Sequence, residues 1–197
     1  MSTNKTPNLN LHSWLPTDAF SREEFNDNFA AIDTAIDTAS LWTKLGTYSV
    51  DKECSDFTIP LTGAPNFTML KLVLCLQTDE EKICPVFVTI SGGSGYFYAE
   101  DNVRTGTSAR ELPIIKDPGR TGATITMLPI GVNRHIGILV NAVTLRKGGI
   151  QMDRKAALLT SRNWKDITEM TFSGYGSSTG STTTIQPGTV ITVYGLR

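Results

Sequence analysis

The chain has 197 residues, with 18 basic and 19 acidic side chains, 2 histidines and 3 cysteines. This length accommodates one sizeable domain and an appendage. The net charge of −1 and the lack of any Lys or Arg run argue against nucleic acid as a partner. The longest apolar runs reach about a quarter of the roughly 20 residues that a membrane span needs, and no leader-like segment opens the chain. We therefore expect neither membrane insertion nor a signal peptide.

The three cysteines, Cys54, Cys75 and Cys84, bear on redox state and metal binding. They cannot all pair within one chain, and none belongs to a C-x-x-C motif or a Cys/His cluster. This pattern predicts reduced, mostly buried thiols in a protein made in a cytoplasm, with no structural zinc.

Charge and hydrophobic period divide the chain into two parts. Residues 17–40 contain six acids and one base, whereas residues 51–197 contain 15 bases and 13 acids. At about the same place the apolar period changes from the 3.6 of helices to the 2 of strands. We therefore predict two domains, residues 1–44 and residues 45–197.

Residues 20–40 are predicted to form a helix with a well-defined start. Ser21 and Glu24 have the S-x-x-E spacing of a capping box, and Phe20 and Phe25 lie where two apolar side chains staple a helix N-terminus. From there, apolar residues recur at spacings of three and four: Phe25, Phe29, Ile32, Ile36 and Ala39.

This apolar seam is narrow and closer to a heptad pattern than to a broad core-facing stripe. One interpretation is that the helix packs on the second domain of its own chain. The other is association with copies of itself, which makes four residues the predicted oligomer interface: Phe25, Phe29, Ile32 and Ile36.

The segment before the helix, Ser2 to Pro16, is polar but carries four large apolar residues: Leu9, Leu11, Trp14 and Leu15. It has no helical period and no strand partner is evident. Such groups gain little until another surface buries them, so we predict a docking peptide formed by these four residues. A frayed terminus that packs loosely on a neighbouring chain is the alternative.

The second domain has about eight predicted strands, separated by Gly and Pro breakers. They cover 48–50, 57–61, 70–76, 86–90, 123–128, 136–145, 167–172 and 189–194. With no second helix evident, the fold class is mainly β: an N-terminal arm and one helix followed by an antiparallel β-sandwich. A jelly roll is favoured, because the Cys and Trp pattern of an immunoglobulin sandwich is missing. Residues 173–187 are predicted to form a loop, and the alternative is a solvated edge strand at Thr182 to Thr184.

Both ends of the chain resemble one protein family. The opening NLNLHSWLPTDAFSREEFNDNFAAID resembles the N-termini of small virion proteins of tailed bacteriophages. The ending GTVITVYGLR, and LWTKLGTYSV followed by FTIPL, are similar to strands of phage fibre and receptor-binding jelly rolls. The resemblance implies a homotrimeric virion appendage that attaches to other phage structural proteins through its N-terminus. It also implies a virion location after synthesis in the host cytoplasm.

Motifs for catalysis are weak. His135 would have to serve any Ser-His-Asp site, and no G-x-S-x-G surrounds a serine. The acidic run Asp79 to Glu81 is typical of a charged hairpin tip, and no P-loop, dinucleotide-binding or calcium-loop motif occurs. We therefore predict no catalytic site, no bound metal and no cofactor.

A sugar-binding site is better supported. GYFYAEDNVR, residues 95–104, places aromatic rings beside polar side chains, a mixture suited to stacking on sugars and hydrogen bonding their hydroxyls. The candidate ligand-binding residues are Tyr96, Tyr98, Asn102, Arg104 and Trp164. The alternative is an ordinary strand with Phe97 facing inward and Trp164 as a core or interface anchor.

Together these patterns predict a structural protein of a tailed-bacteriophage particle, a trimeric tail or head fibre that exposes a β-sandwich. Whether that sandwich binds a host-surface polysaccharide is left open. One alternative is a collar or capsid decoration protein without receptor binding. An alternative of another class is a free carbohydrate-binding module.

Overall fold

The computed structural model describes residues 1–39, 41–78, 86–100, 103–104, 112–115, 119–146, 149–174 and 184–197. These residues form two compact units, Met1–Leu41 and Trp42–Arg197. The boundary between them in the chain falls slightly before the predicted division at residue 44, because the first strand of the second unit begins at Trp42. The predicted fold class, mainly β with one N-terminal helix, is confirmed within the described part of the chain.

The N-terminal unit contains a short hairpin and a helix. The hairpin strands are β1 (Asn4–Lys5) and β2 (His12–Ser13), and the helix is α1 (Arg22–Ala39), 18 residues long. The helix begins where the sequence predicts, because the Glu24 amide donates to Ser21 Oγ at 3.4 Å and so caps the first turn. Glu23 and Glu24 lie in that first turn, where the helix dipole favours acidic side chains.

The second unit consists of two antiparallel sheets. The larger has eight strands, in the order β3 (Trp42–Ser49), β14 (Val190–Leu196), β5 (Met69–Gln77), β10 (Arg120–Ile130), β11 (His135–Arg146), β12 (Gly149–Asn163), β7 (Tyr96–Glu100) and β8 (Val103–Arg104). The smaller has four, in the order β4 (Asp56–Pro60), β13 (Glu169–Gly174), β6 (Val86–Ile90) and β9 (Leu112–Ile115). The described part of the unit also contains two 3₁₀ turns, Ala64–Asn66 and Trp164–Asp166.

The strand order is that of a jelly roll. The second unit has eight described strands besides β7, β8, β11 and β12. Renumbered 1 to 8 in chain order, these eight form one sheet in the order 1-8-3-6 and another in the order 2-7-4-5. This is the arrangement of two four-stranded sheets built from interlocked Greek keys. The four remaining strands add to the β10 edge of the larger sheet and widen it on one side. The predicted jelly-roll-like sandwich is therefore confirmed.

The core lies between the two sheets and follows from the alternation in the sequence. Along β5, Leu70, Leu72, Leu74 and Leu76 are at most 2% exposed, whereas Val73 between them is 42% exposed. Inward residues of both sheets join one continuous cluster of buried side chains. Each buried Leu contributes about 1.5–3 kcal/mol of transfer free energy, so this cluster stabilises the second unit.

The longest strand, β12 with 15 residues, was not predicted. Its alternation is reversed relative to a simple amphipathic strand, because Asp153 and Lys155 are buried while Ile150 and Met152 are 74% and 60% exposed. Hydrophobic periodicity alone gives the wrong inward face for such a segment.

Several other sequence predictions have different outcomes. Cys75 lies on the exposed face of β5, so the prediction of mostly buried thiols is wrong there, and Cys54 is half-buried. Cys84 and the predicted hairpin tip at residues 79–81 lie outside the described residues. The predicted loop 173–187 is wrong at Ser173 and Gly174, which belong to β13. Residues 175–183 of that prediction lie outside the described residues, and Ile185 bridges to Cys54 and Thr78.

Candidate functional site

The predicted docking segment is an ordered part of the N-terminal unit. Its strands pair in antiparallel register, with Asn4 opposite Ser13 and Lys5 opposite His12. The expectation that it lacks a strand partner is therefore wrong. Two-residue strands carry too little alternation to be recognised in the sequence, and the hairpin depends on the adjacent helix.

Side chains of α1 hold this hairpin by its backbone. Asn28 bonds twice to His12, accepting from its amide at 2.6 Å and donating to its carbonyl at 2.9 Å. Glu24 Oε2 accepts from the Ser2 amide at 2.8 Å. The predicted capping box is therefore only half realised among the described bonds, because the Glu24 carboxylate serves the hairpin.

Aromatic rings pack between the hairpin and the start of α1. Trp14 lies 5.4 Å from Phe20 and 6.4 Å from Phe25, and the Phe20 and Phe25 rings are 5.5 Å apart, measured between centroids. The predicted staple between Phe20 and Phe25 is thus confirmed. The indole Nε1 of Trp14 is buried and has no hydrogen-bond partner among the described residues.

Asp18 ties the segment before the helix to the start of the chain. Its carboxylate accepts from the Leu15 amide at 2.9 Å and from the Thr3 amide at 3.1 Å. The hydrogen bond from Leu15, followed by those from Thr3, lowers the pKa of Asp18 below its ordinary value, although burial opposes the shift. The ionised carboxylate is the form that holds this turn.

The predicted oligomer seam is largely open in the single chain. Phe25, Phe29 and Ile36 are 41%, 58% and 66% exposed, and Ile32 is half-buried. A groove of about 460 Å³ runs along this face of α1 and is lined by Phe29, Ala30, Ile32, Asp33 and Ile36. Their role as an interface stays a prediction.

The predicted docking residues have unequal exposure. Leu9 and Leu15 are 43% and 47% exposed, while Leu11 and Trp14 are half-buried. The two exposed leucines can therefore contact a partner directly. Trp14 already packs within its own unit, and docking through all four residues stays a prediction.

Two of the predicted sugar-binding residues belong to the core. Tyr96 is fully buried, and its hydroxyl accepts from the Ile90 amide at 2.8 Å. Trp164 is 1% exposed, and its Nε1 donates to the Phe67 carbonyl at 2.9 Å. Their prediction as sugar platforms is wrong, because a buried ring cannot stack on a ligand. The alternative prediction, an ordinary strand with Phe97 facing inward, is also wrong about Phe97, which is 44% exposed.

For the other three predicted residues the structure describes less. Tyr98 and Arg104 lie in β7 and β8, and only their backbone is described. Asn102 lies outside the described residues. A ligand site at these three residues stays a prediction.

A β-bulge creates a different candidate site on the outer face of the larger sheet. The register between β14 and β3 shifts between Val193 and Tyr194, so that Val193 pairs with Gly46 but Tyr194 pairs with Lys44. The extra residue, Leu45, reverses the alternation of β3. As a result Trp42 and Lys44 share the outer face with Thr47 and Ser49.

The residues on this face form a groove of about 280 Å³, lined by Trp42, Lys71, Val73 and Tyr194. Tyr194 lies directly between two lysines, since it pairs with Lys44 on one side and with Lys71 on the other. In the next row, Thr47 Oγ1 and Thr192 Oγ1 are 3.2 Å apart. We call this site the aromatic groove. Sequence reasoning missed it, because its members come together only through strand pairing and the bulge.

The opposite part of the same outer face is apolar. Val143, Leu145, Ile150 and Met152 are between 46% and 74% exposed. Two direct cross-strand pairs join them, Val143 with Met152 and Leu145 with Ile150. We call these four residues the apolar patch. A second groove on this sheet, of about 360 Å³, is lined by residues of β7, β11 and β12: Ala99, Leu139, Val140, Asn141, Arg154, Lys155 and Ala156.

Acidic side chains are missing from most of this sheet. Strands β3, β14, β5, β10 and β11 contain no Asp or Glu, although they contain Lys44, Lys71, Arg120 and Arg146. Neither Lys44 nor Lys71 forms a salt bridge with a described residue. The aromatic groove is therefore a locally positive surface on a chain of net charge −1.

Among the described residues, no group of three or more His, Cys, Asp or Glu side chains is placed to hold a metal ion. No described helix is long and apolar enough to cross a bilayer. Comparison of the chain with protein-family models, with curated proteins and with solved structures finds no match.

Proposed function

We propose that this chain is a structural protein of a tailed-bacteriophage particle, a homotrimeric short tail or head fibre. Its N-terminal unit associates with copies of itself and docks on other particle proteins, and its jelly roll is displayed outward. The role is assembly and binding, without catalysis. The likeness of both chain ends to phage virion proteins motivates this proposal.

The observation that carries the proposal is the open seam of α1. An 18-residue helix with Phe29 and Ile36 more than half exposed is unfavourable in water, and isolated helices of this length are marginal. Three copies packed side by side would enclose these side chains. The apolar patch adds a second uncovered surface on the jelly roll, consistent with copies that also meet there.

The first test is the mass of the full chain in solution. We expect a trimer by light scattering at micromolar concentration. Replacing Phe29 and Ile32 with Asp places charge in the seam, at a cost of several kcal/mol per assembly. The variant should lose helix-mediated association while its jelly roll stays folded. Asn26→Asp, which adds charge at an exposed position outside the seam groove, is the matched control. A monomeric wild-type chain would contradict the proposal.

The second test is particle incorporation, measured by mass spectrometry of purified particles. Leu9→Asp combined with Leu15→Asp alters two exposed side chains that no described hairpin bond uses. We expect this variant to remain folded and oligomeric but to enter particles poorly. Normal incorporation of the variant would show that these leucines are not the attachment site. Absence of the wild-type chain from purified particles would refute the virion role.

A collar or decoration protein without receptor binding is the second candidate. It is favoured by the burial of Tyr96 and Trp164, which removes two of the predicted sugar-binding residues. A glycan array probed with the full chain separates the two roles, because a purely architectural jelly roll should bind nothing.

A further inference from the structure

We infer that the aromatic groove binds a saccharide that carries anionic groups, such as a uronate or phosphate-bearing polysaccharide. The site consists of Trp42, Tyr194 and Lys71, with Lys44 beside them. This inference deepens the binding role in the proposed function by naming a ligand class for the displayed jelly roll. It rests on that role alone, because the groove belongs to the jelly roll and not to the N-terminal unit.

The shape and chemistry of the groove suit a sugar. Trp42 is 36% exposed and Tyr194 is half-buried, so each ring is held by the sheet and still presents a surface to solvent. Rings fixed in this way stack on the apolar face of a sugar ring with little loss of side-chain entropy. Thr47 and Thr192 supply hydroxyl groups in the adjacent row, which can donate to or accept from sugar hydroxyls.

The charge of the groove favours an anionic ligand over a neutral one. Lys44 and Lys71 flank Tyr194 in a single row across three strands. Directly paired residues in antiparallel strands have their Cβ atoms about 5 Å apart, so both ammonium groups can reach a ligand seated on the Tyr194 ring. No acid of these strands neutralises them.

A second copy of the chain is a poorer occupant. A symmetric contact centred on this groove would bring Lys44 and Lys71 of one copy towards their equivalents in another, and lysine is depleted from interface cores. The apolar patch on the same sheet carries no charge and is the better surface for self-association. The sheet face therefore divides into an association part and a ligand part.

The test is titration of the full chain with three polymers: polygalacturonate, dextran sulfate and neutral dextran. A change in the fluorescence of Trp42 reports binding of polymer in the groove. The Trp42→Phe variant retains only the fluorescence of Trp14 and Trp164, so its difference from the wild type gives the signal of Trp42. We expect binding to polygalacturonate or dextran sulfate and about tenfold weaker binding to dextran. Whichever of the two anionic polymers binds more tightly shows whether the groove prefers carboxylates or ester anions.

Variants test the residues. Lys71→Gln should weaken anionic-polymer binding about tenfold, and Tyr194→Ala should weaken it at least as much, whereas Tyr194→Phe keeps the ring and should change it less than about twofold. Arg120→Gln is the matched control, because Arg120 is exposed on the same sheet and opposite Gln77, away from the groove. Circular dichroism and thermal melting establish that each variant is folded.

Several results would overturn the inference. They are no binding to either anionic polymer, equal binding to dextran, an equal loss with Arg120→Gln, or tighter binding to single-stranded DNA than to the polysaccharides. Concentration-dependent burial of Trp42 without any polymer would assign the groove to a second copy. Particle incorporation of Lys71→Gln is measured in parallel. If binding fails while incorporation is normal, only the saccharide site is refuted; if binding succeeds in a chain that never enters particles, only the virion role is refuted.

Discussion

The two units of this chain protect their apolar side chains by different means. In the jelly roll, alternate residues of two sheets form a continuous core in which Tyr96 and Trp164 are at most 1% exposed. In the N-terminal unit, Trp14 packs against rings such as Phe20, which is itself 65% exposed. A unit of about 40 residues cannot enclose a core of its own, so much of its apolar surface stays open.

Polar groups also differ between the units. The strand ladders of the jelly roll satisfy most of their backbone groups by regular pairing. In the N-terminal unit, individual side chains bond the backbone instead: Asn28 bonds His12 of the hairpin, and Glu24 and Asp18 bond the amides of Ser2 and Thr3 just before it. Because no strand ladder supports these bonds, the loss of one should destabilise the N-terminal unit locally while leaving the jelly roll intact.

The largest effect is expected in the jelly roll. Trp164→Ala removes a fully enclosed ring and should lower the free energy of unfolding of the sandwich by about 3–5 kcal/mol. Urea denaturation followed by near-ultraviolet circular dichroism measures this change. Trp164→Phe keeps an aromatic ring but loses the hydrogen bond to the Phe67 carbonyl, and should lower the free energy of unfolding by less. Val132→Ala, at a site 99% exposed, is the control and should change stability little.

Trp14→Ala should have a smaller and local effect. It removes ring packing against Phe20 and Phe25 and should destabilise the N-terminal unit by about 1–3 kcal/mol. Hydrogen exchange should increase in α1 and β2 and stay unchanged in β5. Trp14→Phe is the informative comparison, because it keeps an aromatic ring and removes a buried Nε1 that has no described partner. Equal loss in both variants would contradict the packing role.

Asn28→Ala tests the bonds between helix and hairpin. Two hydrogen bonds to His12 are lost, and we expect about 1–2 kcal/mol of local destabilisation. Amide exchange at His12 and Ser13 measures it. Asn26→Ala, two residues earlier on an exposed position, should leave these amides protected. Protection that survives Asn28→Ala would show that ring packing alone holds the hairpin.

The smallest effect is a pH dependence from Asp18. Its pKa is lowered in the folded unit, mainly by the Leu15 amide, so its contribution to stability is present above the ordinary carboxyl pKa. That contribution should be lost as the pH falls through the lowered pKa. Amide chemical shifts of Thr3 and Leu15, followed by NMR between pH 5 and pH 2, measure the transition. Asp18→Asn should abolish it, whereas Asp33→Asn should not.

Much of the local structure could be predicted from the sequence. Ser21 and the two stapling phenylalanines mark the start of α1 because capping and stapling involve residues only a few positions apart. The leucines of β5 predict a half-buried strand because their period of two is independent of what the strand packs on. The mainly β class follows from many such strands and a single helix, whereas the strand order of the jelly roll is defined by pairing in the structure.

The candidate sites could be predicted only in part. The seam of α1 is readable because a helix places Phe25, Phe29 and Ile32 on one face. The aromatic groove is not readable, because Trp42, Lys71 and Tyr194 are far apart in the chain and meet through pairing. Tyr96 was misassigned because alternation identifies two faces without saying which one is buried.

The sequence by itself determined the elements whose cause is local: the capped helix, its apolar seam and the alternation of the jelly-roll strands. Tertiary structure alone decided the inward side of β12, where Asp153 and Lys155 are buried. It also decided the pairing of the hairpin with α1 and the bulge that brings Trp42 and Lys44 to the outer face. The physical reason is that the burial of a side chain depends on which other element packs against its face, and that element comes from a distant part of the chain.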